Sequence, residues 1–73
     1  MSHLPVISGK DAIKAFSRYG FTVARQTGSH VIMVKQSMEV TLSIPLHDPM
    51  KRGTLRRLIT DAGLTVEDFV KLL

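Results

Sequence analysis

The chain has 73 residues, no cysteine and no tryptophan, and ten Lys and Arg against six Asp and Glu, a net charge of +4. That length suits one small domain over residues 1–73, and a chain this short hides only about 60% of its unfolded surface, so its core must be economical. Without cysteine, disulfides and thiolate zinc sites are excluded; no apolar run approaches a membrane span and no signal-peptide pattern opens the chain, so a cytoplasmic protein with no membrane contact is expected.

Ser8 reads as a helix N-cap with Asp11 as its capping-box partner. Ala12, Ile13, Ala15, Phe16 and Tyr19 follow at helical spacing until Gly20 stops the helix. From Phe21 to Gln26 the period changes to two, and Gly28-Ser29 predicts a two-residue hairpin turn of type II′. A second, nearly all-apolar strand runs from His30 to about Gln36. After a turn at Ser37-Met38-Glu39, Val40, Leu42 and Ile44 alternate with Thr41 and Ser43 in a third strand that Pro45 closes. Leu46 to Arg52 is a loop. Gly53-Thr54 opens a second helix with Thr54 as N-cap, Leu55, Leu58, Ile59 and Ala62 inward, and Gly63 at its end. Thr65 with Asp68 caps a last short helix whose apolar stripe is Val66, Phe69, Val70 and Leu73. The order α-β-β-β-α-α predicts an α+β domain: a three-stranded antiparallel sheet with helices on one face.

The turn sets an expected register. Thr27 faces His30, Arg25 faces Ile32 and Val23 faces Val34. Aligning the apolar rows then pairs Val34 with Leu42 and Ile32 with Ile44, and leaves His30 beside Leu46. In this register His30 heads the core-facing row at its outer end, while Thr22, Met33, Lys35, Thr41 and Ser43 face away from the helices. Antiparallel chain direction gathers Ser8-Gly9-Lys10, the Gly28-Ser29-His30 turn and Lys51-Arg52-Gly53-Thr54 at one edge. Two helix N-termini there favour phosphate, with Lys10, Arg25, Lys51, Arg52 and Arg56 adding formal charge. Charge is uneven along the chain as well: nine basic residues against three acidic ones through Leu58, one against three beyond it. A basic body suits a polyanion, nucleic acid first, and equally a solubilising surface.

His30 is the candidate reactive group. An imidazole changes charge near pH 6.5, so it can take a proton from a ribose 2′-hydroxyl and return one later, as RNA scission needs, with cations stabilising the phosphate. The other reading is a histidine that caps a hairpin. His47-Asp48 reads either as a second proton-transfer or phosphate contact or as loop polarity beside Pro49, and His3 lies in a frayed terminus. No carboxylate stands at ligand spacing to the three histidines, so neither a metal nor another cofactor is expected. Lys51/Arg52 and Arg56/Arg57 also fit a solvated helix face.

Leu4-Pro5-Val6-Ile7-Ser8-Gly9-Lys10, the helix ending in Gly20-Phe21, Arg25-Gln26-Thr27-Gly28-Ser29-His30, Lys51-Arg52-Gly53-Thr54-Leu55 and Asp61-Ala62-Gly63-Leu64 together resemble the HicA (YcfA-like) toxins of toxin–antitoxin systems, from about Leu4 to Leu73. The resemblance implies a fold similar to double-stranded-RNA-binding domains. It implies mRNA cleavage without DNA contact by this chain alone, and a catalytic histidine at His30. Gly28 and Ser29 would shape or contact the site, and a HicB-like antitoxin would cover the active edge. Two functions are therefore expected to compete. One is a metal-independent endoribonuclease with His30 as base and Lys10, Arg25, Lys51 and Arg52 holding RNA. The other is a non-catalytic RNA-binding module that reads A-form shape through the same edge.

Overall fold

A computed structural model describes residues 3–73. The chain runs α1 (Gly9–Arg18), β1 (Thr22–Gln26), β2 (His30–Val34), β3 (Thr41–Pro45), α2 (Arg52–Asp61) and α3 (Val66–Val70), and the three strands form one antiparallel sheet in the order β1-β2-β3. This is the α+β architecture that the sequence periods predict.

Local chemistry explains where the elements start and stop. The Ser8 hydroxyl accepts from the Asp11 backbone N–H at 3.2 Å and caps α1. At α3 the box is reciprocal: Asp68 N–H donates to Thr65 Oγ1 at 3.1 Å, and Thr65 N–H to Asp68 Oδ2 at 3.4 Å. Gly20 and Gly63 end α1 and α2 with φ of 112° and 79°, values open to glycine and strained for other residues. The second helix begins earlier than the sequence suggests. Its N-cap is Lys51, not Thr54, and no side chain caps it. Met50 is the cause: its side chain is buried and its N–H donates to the Ile7 carbonyl at 2.8 Å, which sets the chain to turn helical at once, with Leu55 N–H reaching Lys51 O.

The core lies between one sheet face and the helices. Val31, Met33, Leu42 and Ile44 from the sheet meet Ala12, Ala15, Phe16, Leu55, Ile59 and Ala62 from α1 and the α2 segment, with Phe21 and Phe69 alongside. Phe16 sits at the centre, 5.9 Å from Phe21 edge-on and 5.0 Å from Phe69 between ring centroids. Both long helices pack on β3. As a result Val23, on the helix side of β1, stays 52% exposed.

The observed register corrects the expected one. Arg25 does pair with Ile32, but a bulge between Val23 and Arg25 then pairs Val23 with Met33 and Thr22 with Val34. Across the next seam Val31 pairs with Ile44, Ile32 with Ser43, Met33 with Leu42, Val34 with Thr41, and His30 with Pro45 rather than Leu46. The core-facing residues of β2 are therefore Val31 and Met33, and His30, Ile32 and Val34 lie on the opposite, open face. A one-residue slip exchanges the two faces of a strand. Here Leu42 and Ile44, both fully buried, decide which face of β2 goes inward.

Candidate active site at the end of the sheet

Backbone hydrogen bonds build the site. Leu46 N–H donates to the Ser29 carbonyl at 2.8 Å, Gly9 N–H to the His47 carbonyl at 2.8 Å, and Met50 N–H to the Ile7 carbonyl at 2.8 Å. This ladder stitches the β1–β2 turn, the segment after β3, the start of α1 and the approach to α2 into one end of the molecule. The gathering of the Gly28-Ser29-His30 turn with both helix starts is therefore as expected. Gly9 makes the tight packing possible, since a Cβ there would fall 2.2 Å from the Pro45 carbonyl oxygen.

The turn itself differs from the expected type. Gly28 lacks the positive φ of a type II′ turn. The turn is held instead through its carbonyls. The His30 carbonyl accepts from Thr27 N–H at 2.9 Å and from Thr27 Oγ1 at 3.3 Å, while that of Ser29 is taken by Leu46. Gly28 has nothing near the position of a Cβ and forms an open tip.

His30 is half-buried, at the first position of β2 on the open face. Its Nδ1 lies 2.9 Å from Ser29 Oγ. Sequence reasoning singled out both residues without foreseeing this contact; the signal available was a hydroxyl residue directly before histidine in a tight turn. Arg25 joins His30 on the open face, because it pairs with Ile32, two residues along from His30. Such diagonal neighbours come within reach of long side chains. Ser43, opposite Ile32, and Pro45, opposite His30, flank them from β3.

The other predicted cations group differently. Lys10 stands in the first turn of α1, Lys51 at the N-cap of α2 and Arg52 at its first position, all exposed. The two helix starts are not equivalent. At α1, Gly9 N–H is spent on His47, Asp11 N–H on Ser8, and Asp11 brings negative charge. At α2 no side chain caps the terminus and no acidic residue stands in the first turn. The α2 start, with Lys51 and Arg52, is the stronger attraction for phosphate. The His47 side chain is exposed, and its carbonyl accepts from Gly9 N–H within the same ladder.

An imidazole in contact with a hydroxyl, an arginine on the same face and exposed cations at two helix starts tied in by the backbone ladder thus share one end of an α+β domain with an open sheet face. The chain belongs to the HicA toxin family of bacterial toxin–antitoxin systems: residues 9–64 match the family model described as the HicA toxin of bacterial toxin-antitoxin. The matched span begins at the first residue of α1 and ends just after Gly63, so it holds the whole sheet and the site. Comparison with curated proteins gives no match. Membership makes this protein the toxin of a pair and implies an antitoxin partner. Among the described residues, no helix is long and apolar enough to cross a membrane.

Proposed function

We propose that the protein is an endoribonuclease that cleaves mRNA with His30 as its single catalytic histidine, without a metal ion, and that a HicB-like antitoxin neutralises it by covering this end of the sheet. The observation that carries the reading is the placement of His30: half-buried on the open face, held at Nδ1 by Ser29, with Arg25 on the same face. RNA approaches from the open face, with one phosphate at Arg25 and the flanking backbone at Lys10, Lys51 and Arg52. Nε2 takes the 2′-hydroxyl proton as the 2′-oxygen attacks the adjacent phosphorus. The phosphorus–5′-oxygen bond breaks, leaving a 2′,3′-cyclic phosphate on one fragment. The 5′-oxygen leaves as a hydroxyl, taking its proton from the imidazolium or from water. Arg25 stabilises the charge that builds on the phosphate.

Gly28 keeps the turn tip low, so that substrate reaches the ring, and Ser29 borders the same approach. The exposed cations at the α2 start also favour a second reading, RNA binding without cleavage. Incubating purified wild-type protein with total RNA in EDTA separates the two. The nuclease yields fragments with 2′,3′-cyclic phosphate ends. Intact RNA that is nonetheless retarded in a gel shift contradicts cleavage and leaves the binding module.

A further inference from the structure

We infer that Ser29 is a positioning residue that accepts a hydrogen bond from Nδ1–H of His30 and so fixes the imidazole tautomer with the Nε2 lone pair free. The inference rests on the proposed role of His30 as base and adds a residue that acts through it.

Three observations support the assignment. The first is the 2.9 Å contact between Ser29 Oγ and His30 Nδ1. The second is that neighbouring residues in a strand point to opposite faces, so this contact exists only because Ser29 still belongs to the turn. The third is that the dipeptide is clamped at both carbonyls, Ser29 by Leu46 N–H and His30 by Thr27 N–H and Oγ1, so the two side chains are held in place by the ladder that builds the site.

The direction of the bond follows from proton bookkeeping. A hydroxyl can donate or accept. If Ser29 donated to Nδ1, the ring proton would sit on Nε2, and no lone pair would remain there to take the 2′-hydroxyl proton. If Ser29 accepts, Nε2 is the base. The same bond then survives when the ring becomes imidazolium, because Nδ1–H donates in both states and only Nε2 changes. Ser29 need not turn during a catalytic cycle, and its own O–H, on an exposed residue, points to solvent or to a phosphate oxygen.

Long-range 15N NMR of His30, run beside cleavage kinetics on wild type, Ser29→Ala and Ser29→Thr, tests the inference. Neutral wild-type His30 should show a protonated Nδ1 and an unprotonated Nε2. Ser29→Ala should move the population toward the Nε2–H tautomer and lower kcat by about 10–100-fold, by analogy with the loss seen when the hydrogen-bond partner that orients a metal-ligating histidine is removed, with KM nearly constant. Ser29→Thr should restore both. A wild-type ring carrying its proton on Nε2, or a Ser29→Ala protein with unchanged kcat, overturns the assignment. The 15N spectrum needs no RNA, so a wild type that fails to cleave would defeat the proposed function while the tautomer still decides what Ser29 does.

Discussion

Gly9 shows how a single residue positions the site. Glycine at the start of a helix is ordinarily a weak choice, and replacing it with alanine often stabilises. Here the sign reverses. The Pro45 carbonyl oxygen, 2.2 Å from where a Cβ would stand, belongs to the last residue of β3 and cannot swing aside as a side chain would. Gly9→Ala should therefore destabilise by about 1–3 kcal/mol, the usual cost of overpacking, read from the urea midpoint. It should also loosen the Gly9–His47 bond, visible as faster amide exchange at Gly9. A variant as stable as wild type would mean that α1 does not press on β3 as described. The sequence offers Ser8 and Asp11 as caps but no sign of this contact, since it depends on a residue 36 positions away.

At the scale of elements, β2 carries the main lesson. Caps, glycines and periodicity locate all six elements within a few residues, and the alternation in β3 correctly picks Leu42 and Ile44 as its inner face. The run His30-Val31-Ile32-Met33-Val34 has no such alternation, so either face could go inward. Only the pairing with β3 chooses Val31 and Met33, and the bulge near Ala24 lets β1 keep both Arg25 opposite Ile32 and Val23 opposite Met33. The candidate site was legible as a cluster of segments, because chain direction alone brings the turn and the helix starts together. The direction of the His30 ring was not legible, because it follows from the register. Paired substitutions check the faces: Met33→Ala should cost about 2–5 kcal/mol, the range for a fully buried side chain, and Ile32→Ala clearly less. The reverse order would restore the rejected register.

Over the whole molecule, burial and charge divide the labour. The small core sits under the two long helices and β3, and leaves β1 and the open face uncovered. No polar or charged residue is buried among the described residues, and Lys10, Arg25, Lys51 and Arg52 are all exposed, so none of these cations is committed to the interior. If Lys51 and Arg52 hold RNA phosphate, replacing both with Ala should weaken binding across sequences alike. It should also make the slope of log affinity against log salt shallower by about 0.7 for each lost contact with single-stranded RNA. An unchanged slope would place the RNA elsewhere. The same exposure fits a toxin that its antitoxin covers: His30 lies on a face that no element among the described residues closes.

Whether His30 performs the cleavage is decided by a matched pair of proteins. Wild type and His30→Ala are compared for cleavage of one mRNA in EDTA, alongside their thermal melts. His30 is only half-buried and its side chain bonds Ser29 alone among the described residues, so the variant should melt within a few degrees of wild type. Its cleavage rate should fall by at least about 100-fold, the lower range for loss of a general base. A folded His30→Ala protein that cuts at the wild-type rate would contradict the account.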